Sequence, residues 1–460
     1  MEIFFFFSLE LFEMDQQAVN EPLLPPVLNE ESGVGGREES EERDERVGRG
    51  KKSWTRETAL CCLYIALYSF KPSEAFLVDF LSTKGVDGVS VFYVFTYSRG
   101  PALLLCLLLC RILGCKAVVV AGAVCSLITT ALTLTTSKLL LLQVSQASVA
   151  FAFASLIGFE ALQFNGAKHT FQMVSHLTKG FMLASCCGSS LLGQTLREYV
   201  GDKTLFTITL FFEGMACLVA LFLPAGANSV LRSKEGSKEG GEGWRHVWFA
   251  LKKGEIFRWT LLWTLCYAVH DLVLTNWQVL AQMKLNEHYG SSSRMNLNGY
   301  MWSAGYLLSA LLTLGTSSFK RLYQYCAFVM VGAPLLMGMT LFVMGVGTIL
   351  PFYISFIFFQ TAFQLMAAVR NASLAKSVTE EVENLAGLQN VDTTFVLSAV
   401  LWFAGGTGVA FESSVQVSIQ YLASLSFANQ VVWKALASCL FLLSFMFASY
   451  FLRRKTLEKE

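Results

Sequence analysis

Apolar residues fill this chain in long runs, and polar residues collect between them. Six runs come first, at 55–82, 89–113, 117–135, 139–164, 174–197 and 205–224; six more lie at 256–283, 295–316, 323–345, 349–369, 386–416 and 427–452. A helix needs about 20 mostly apolar residues to cross a hydrocarbon layer about 30 Å thick, so each run predicts a transmembrane helix. Between the two sets, Ala225 to Gly254 turns to Gly, Ser, Lys and Glu, as in Ser233-Lys234-Glu235-Gly236. It shows no apolar face and reads as a flexible linker. Ahead of the first run, Phe4 to Phe7 are too few to span, and Glu2 stands where a signal peptide has positive charge. From Met14 to Gly50 the chain is polar and poor in aromatics, which predicts a disordered tail.

Six runs, a polar linker and six runs outline an all-α membrane protein. The expected fold is twelve transmembrane helices in two six-helix halves, the major facilitator architecture, with a binding site near the midplane. Its expected parts are a cytosolic tail (1–54), an N-terminal bundle (55–224), a cytosolic linker (225–255), a C-terminal bundle (256–452) and a short cytosolic tail (453–460). Only 15% of the 460 residues are charged and 54% are hydrophobic, against about 25% charged in soluble chains. Eighteen basic residues, among them Lys51, Lys116, Arg245, Lys252, Arg370 and Arg453, fall on the side of the termini. Only Lys84, Lys138, Arg197, Lys203, Lys284 and Arg294 fall on the other. That asymmetry puts both termini and the linker in the cytosol, with the plasma membrane the expected location. The sequon Asn371-Ala372-Ser373 would then face the cytosol and carry no glycan.

Net charge is +1 with no basic arm or stripe, so a nucleic-acid partner is not expected. The twelve cysteines sit mostly inside apolar runs and form no CxxC pair or zinc spacing; they read as small apolar fillers. There is no HExxH, GxSxG or P-loop, which argues against an enzyme, a metal site or a cofactor.

The informative residues are polar ones at membrane depth, where a charge needs a partner or a wet cavity. Lys71-Pro72-Ser73-Glu74 and Asp79 lie in the first run. In the seventh, Thr264, Tyr267, Asp271, Thr275, Gln278 and Gln282 form one helical stripe. The stripe reads either as interhelical hydrogen bonding or as a cavity wall, the second favoured because Asp271 is costly as glue. His270 is a packed ring or a proton relay. In the fourth run, Gln143 and Gln146 share a face and could meet a heterocycle or a neighbouring helix; Glu160, further along that face, suits a gate salt bridge or a ligand contact. Ser185, Ser189 and Gly193 have the spacing of close helix packing. Asn298, Trp302 and Tyr306 recur every four residues, and Gln360 and Gln364 share a face. Asp392 precedes Gly405-Gly406, which should loosen the eleventh helix.

Several of these segments resemble the reduced folate carrier and thiamine transporter family, a branch of the major facilitator fold. Lys71-Pro72-Ser73-Glu74-Ala75-Phe76 is similar to its Arg/Lys-Pro-x-Glu-Ser-Phe signature, and Ser190-Leu191-Leu192-Gly193-Gln194 to its Ser-x-Leu-Gly-Gln. Leu297-Asn298-Gly299 resembles its Tyr-Asn-Gly; Ala362-Phe363-Gln364 and Val391-Asp392-Thr393 resemble its Thr-Phe-Gln and Val-Asn-Thr. The resemblance runs from about Leu63 to Phe451 and implies that Glu74 and Asn298 contact substrate. It also implies departures: Gln143 stands where the family has an acid that reads an amino-bearing ring, and the places of two carboxylate-binding cations are apolar, near Pro351 and Leu401.

The expected function is alternating-access transport of a small water-soluble vitamin. Glu74, Gln143, Gln146, Tyr267, Asp271, Asn298, Trp302 and Gln364 form the expected binding set. Asp79, Arg99, Glu160, His270 and Asp392 are candidates for coupling or gating, with protons or a counter-ion as co-substrate. Glu74, Asp79 and Asp271 outnumber Arg99, so a cationic or neutral aromatic vitamin such as thiamine is preferred over a folate. The alternatives are a folate or organic-anion carrier, and a receptor or scaffold of the same fold.

Overall fold

The structure, a computed structural model, describes residues 56–86, 88–166, 171–224, 240–289, 297–318, 326–386, 393–419 and 430–457. Among these residues there are thirteen α-helices and no strand: α1 (56–69), α2 (Leu77–Thr83), α3 (Gly88–Leu113), α4 (Cys115–Thr135), α5 (Leu139–Gly166), α6 (Phe171–Leu221), α7 (Gly240–Lys252), α8 (Gly254–Tyr289), α9 (Asn298–Ser318), α10 (Cys326–Val346), α11 (Ile349–Ala386), α12 (Thr393–Val417) and α13 (Gln430–Leu457). Seven of them are long and apolar enough to cross a membrane by length and composition. The expected Asp392 lies outside the described residues.

The run at 55–82 is not one helix. α1 stops at residue 69, a 3-10 turn occupies Glu74–Phe76, and α2 follows. Pro72 has no N–H to give a helix and disfavours the helical conformation at Lys71 before it. The break therefore falls on the Lys-Pro-Ser-Glu segment.

α6 contains two of the expected runs. Its Gly201 has φ +72° and ψ 165°, a backbone that favours glycine, and the chain turns back there. Before Gly201 the helix runs alongside α1: Ser185 Oγ donates to the carbonyl of Ala66 (2.5 Å), and Cys186 Sγ reaches that of Ser69 (3.7 Å). After Gly201 it runs the opposite way, with Phe206 stacked on Phe80, Thr209 Oγ1 2.9 Å from Ser73 Oγ, and Phe212 against Phe70. Both arms of α6 thus brace the broken first span.

Two expectations need correction. The 225–254 segment does have an apolar face: α7 forms within it and buries Val247, Ala250 and Leu251. Their three- and four-residue spacing is masked in the sequence by the glycines just ahead. The run ending at 369 continues as helix to Ala386; its polar extension carries Lys376 and Glu380 3.7 Å apart, one turn along.

Buried apolar residues fall into two main clusters. One is built from α1 and α3 to α6 with Trp402 and Val409, the other from α7 to α13 with Leu183. The same end cap occurs beside each. Lys84, just past α2, donates to the carbonyls of Leu134 (3.2 Å), Thr136 (2.7 Å) and Thr133 at the end of α4. Lys284 donates to that of Gly347 (2.5 Å) just past α10. In both places a cation satisfies carbonyls that a helix end leaves unbonded.

The seams are closed by small residues. A Cβ on Gly193 would stand 2.3 Å from the Pro72 carbonyl oxygen, and one on Gly299 2.8 Å from Gln194 and 2.9 Å from the Ser190 carbonyl. The Gly299 N–H donates to Gln194 Oε1 (2.9 Å). The two motifs Ser190–Gln194 and Leu297–Gly299 therefore touch each other. Replacing Gly193 by Val should overpack this contact and destabilise the protein by about 1–3 kcal/mol. Gly188→Ala, earlier on the same helix and with nothing within 4 Å of its Cβ position, should be neutral or stabilising. Thermal unfolding of the two purified variants in one detergent tests this.

Candidate functional site

Three groups of charged residues lie among the helices. In the first, the break after α1 presents Lys71 toward α4 and α6. Its Nζ lies 3.0 Å from Glu213 Oε1 and donates to Ser126 Oγ (2.9 Å), while Ser126 Oγ donates to Glu213 Oε1 (2.6 Å). Glu213 is 1% exposed and Lys71 14%. Glu74, three residues on and half-buried, is within electrostatic range of both.

The second group joins the two apolar clusters. Arg99 of α3 pairs with Asp271 of α8 and with Glu412 of α12 (2.7 Å), and donates to the Tyr267 hydroxyl. Thr264 and Thr407 bond to each other (2.9 Å), and Ser413 Oγ donates to the Thr96 carbonyl (3.1 Å). The first half of the α8 stripe is therefore bonded to other helices, and Asp271 has a cation beside it. His270 lies behind, stacked on Phe363 at 3.5 Å between centroids, with Nε2 2.8 Å from Gln360 Oε1. It is a packed ring, one of the two readings open from the sequence.

The third group is Glu160 of α5, Lys179 of α6 and Arg370 of α11, which interact electrostatically. Arg370 is buried and lies 4.1 Å over the Trp263 ring; Trp263 stacks on Phe363, and Tyr267 follows at 5.4 Å.

The three groups border one region. Cys186 is in electrostatic range of Glu74, Lys71 and Lys179, and Tyr267 of Arg99, Glu412 and Glu160. Several members keep partial exposure although helices surround them, Asp271 16%. Accessible charges inside a helical bundle fit a hydrated path. By contrast, a cavity of about 350 Å³ lined by Phe249, Lys252, Lys253 and Glu381 involves none of them; Lys253 and Glu381 pair there at 3.0 Å.

The other expected residues are dispersed. Asn298 is buried and its Oδ1 accepts from the Tyr353 hydroxyl (3.3 Å). Trp302 is buried edge-on to Tyr306 and beside Trp277. Gln146 and Gln364 are buried, and Gln143 is half-buried. Asp79 is on the far side of the 3-10 turn, 3.0 Å from Arg197, which also holds Asp202 (2.8 Å) and covers Phe76. Glu213, Glu412 and Lys179 are interior charges that sequence reasoning does not single out. The available signal was a lone charge inside an apolar run, as in Phe211-Phe212-Glu213 and Ala410-Phe411-Glu412.

Removing Lys71 should leave Glu213 buried and unpaired. Lys71→Met should then cost about 3–5 kcal/mol, and Lys71→Met with Glu213→Leu should recover most of it. Unfolding midpoints of the single and double variants measure the difference.

Comparison with known proteins gives a consistent picture. The chain matches the family described as reduced folate carrier over residues 52–243 and 233–404. It is 24% identical over 404 residues to a folate-like transporter of Dictyostelium discoideum, covering 85% of this chain and 65% of that protein. It is 28% identical over 184 residues to folate transporter 1 of Caenorhabditis elegans, covering 37% of this chain and 40% of that one. The chain thus spans just under two thirds of the first relative and less than half of the second. Among solved structures it is similar to a mutant form of the nucleoside transporter NupG (TM-score 0.60, 15% identity, 85% of this chain and 99% of that one). It is also similar to the human organic anion transporter MFSD10 (TM-score 0.60, 13% identity, 86% and 99%). At such identity the likeness is one of fold.

Proposed function

Because the chain belongs to the reduced folate carrier family, we propose that it is a secondary transporter that carries a folate-type solute by alternating access. The family match over most of the chain carries this reading. The thirteen described helices suit twelve crossings, with α1 and α2 as one interrupted span, α6 as two, and α7 as a cytosolic helix between two six-helix halves. Both termini are cytosolic in this arrangement, and the plasma membrane is its site.

A folate-type solute has an amino-bearing bicyclic ring at one end and carboxylates at the other. Lys179 and Arg370 are the cations for the carboxylates. Glu74 is the acceptor for the ring's amino group, and Trp263 and Tyr267 offer flat faces between them. The preference for a cationic or neutral vitamin depends on three acids facing one arginine. Each acid has a cation near it: Lys71 by Glu74, Arg197 by Asp79, Arg99 by Asp271. Lys71 and Arg99 also face Glu213 and Glu412, so what supports an anion is the pair of further cations that the count left out, Lys179 and Arg370.

Cells lacking their own folate and thiamine uptake, expressing this chain and given each vitamin in labelled form, test the reading. Saturable folate uptake is expected. Lys179→Gln or Arg370→Gln should lower it about tenfold or more, the loss of one charge-assisted contact of about 1.5–3 kcal/mol; Glu74→Gln should also lower it. Saturable thiamine uptake with no folate uptake would sink the assignment.

A further inference from the structure

Where α3, α8 and α12 meet, one guanidinium faces two carboxylates. Arg99 is bonded to both Asp271 and Glu412. Glu412 is 0% exposed. An uncompensated charge sealed in a protein interior costs several kcal/mol, and carboxylates sharing one site seldom ionise together. The charge count leaves room for one more positive charge.

A separate observation says where it goes. Glu412 Oε2 accepts from Arg99 at 2.7 Å, but its Oε1 is buried with no hydrogen-bond partner among the described residues. Gln416, also buried, stands one turn further along the same helix face, and its Oε1 has no partner among them either. Residues four apart on a helix are neighbours. Neither of these two neighbouring acceptor oxygens has a hydrogen bond among the described residues; a protonated Glu412 carboxyl supplies the missing donor, and the rival donor, Gln416 Nε2 with the amide turned round, would leave Glu412 ionised and without a carboxylic acid band. Tyr267 is engaged with Arg99, and Ser413 Oγ with the Thr96 carbonyl. Asp271 pairs with Arg99 but its Oδ2 also has no hydrogen bond among the described residues; at 16% exposed against 0% for Glu412 it can keep its charge at lower cost. His270 bonds Gln360, and Glu160 reaches the site only through Tyr267's electrostatic range.

We infer that Glu412 is a proton-binding site: with α3 and α12 together it holds a proton on Oε1, donated to Gln416 Oε1, and it releases that proton to water when the two helices part. The bound state, Arg99⁺, Asp271⁻ and neutral Glu412, has no net charge; release gives Glu412⁻ and one free proton, and the site becomes −1. Coupling of that proton to solute movement rests on the transporter reading, whereas occupancy of the site does not.

Two measurements on purified full-length protein separate these. Infrared spectra near neutral pH should contain a carboxylic acid C=O band that shifts in heavy water and is absent from Glu412→Gln. That variant is the isostere of the protonated side chain and should fold. A Gln416→Leu variant should move the band to the frequency of a carboxyl without a hydrogen bond. A spectrum identical in wild type and Glu412→Gln, or a band lost only in Asp271→Asn, would overturn the inference. In liposomes, a gradient of about one pH unit should sustain up to about tenfold accumulation of labelled folate for one coupled proton, and Glu412→Gln should abolish the accumulation while exchange persists. Accumulation unchanged in Glu412→Gln would overturn the coupling. No folate movement in any variant, with the infrared band present, would sink the folate reading and leave the proton site standing.

Discussion

Lys71 and Glu213 are held 3.0 Å apart among helices with little polar surface, and that pairing sets conditions on everything around it. A charge at membrane depth must be matched or wetted, and matching it from another helix fixes where that helix sits. Lys71 reaches Glu213 and Ser126 from the break in the first span, beside Pro72. The interruption in turn is held by Thr209 on one side and by Gly193 on the other. Breaking the span, placing Glu74 and docking both arms of α6 are thus one arrangement with one electrostatic cause.

The same rule explains where the two apolar clusters meet. Arg99 and its two carboxylates come from α3, α8 and α12, and the Gln194–Gly299 contact comes from α6 and α9. Polar groups bond across these seams beside apolar ones: Leu183 packs into the second cluster, and Trp402 and Val409 into the first. Glu160, Lys179 and Arg370 complete the ring of charge around the interior region, and the stacked rings of Trp263, Tyr267 and Phe363 lie between that group and Arg99.

The helical, many-span character was legible in the apolar runs, because a run of that length has few other ways to satisfy its backbone in lipid. What the runs could not show was where a helix stops being straight. Pro72 is a residue that breaks helices, but Gly201 looks in sequence like any other glycine, and α7 is hidden by its glycine-rich neighbourhood. The site was only half legible. Glu74, Asp271 and Arg99 stood out as charges in apolar surroundings, but a partner can lie far away along the chain: Glu412 is 313 residues from Arg99. Asp271 looked like a free acid because pairing is a property of the fold. Asn298 and Trp302 are buried in the structure, and an amide and an indole have the same appearance in sequence whether they pack or bind.

The lysine that closes α4 and the lysine that closes α10 do one job at corresponding places beside two separate cores. Each cluster therefore closes a helix end with a cation drawn from its own set of helices, and neither borrows that cap from the other.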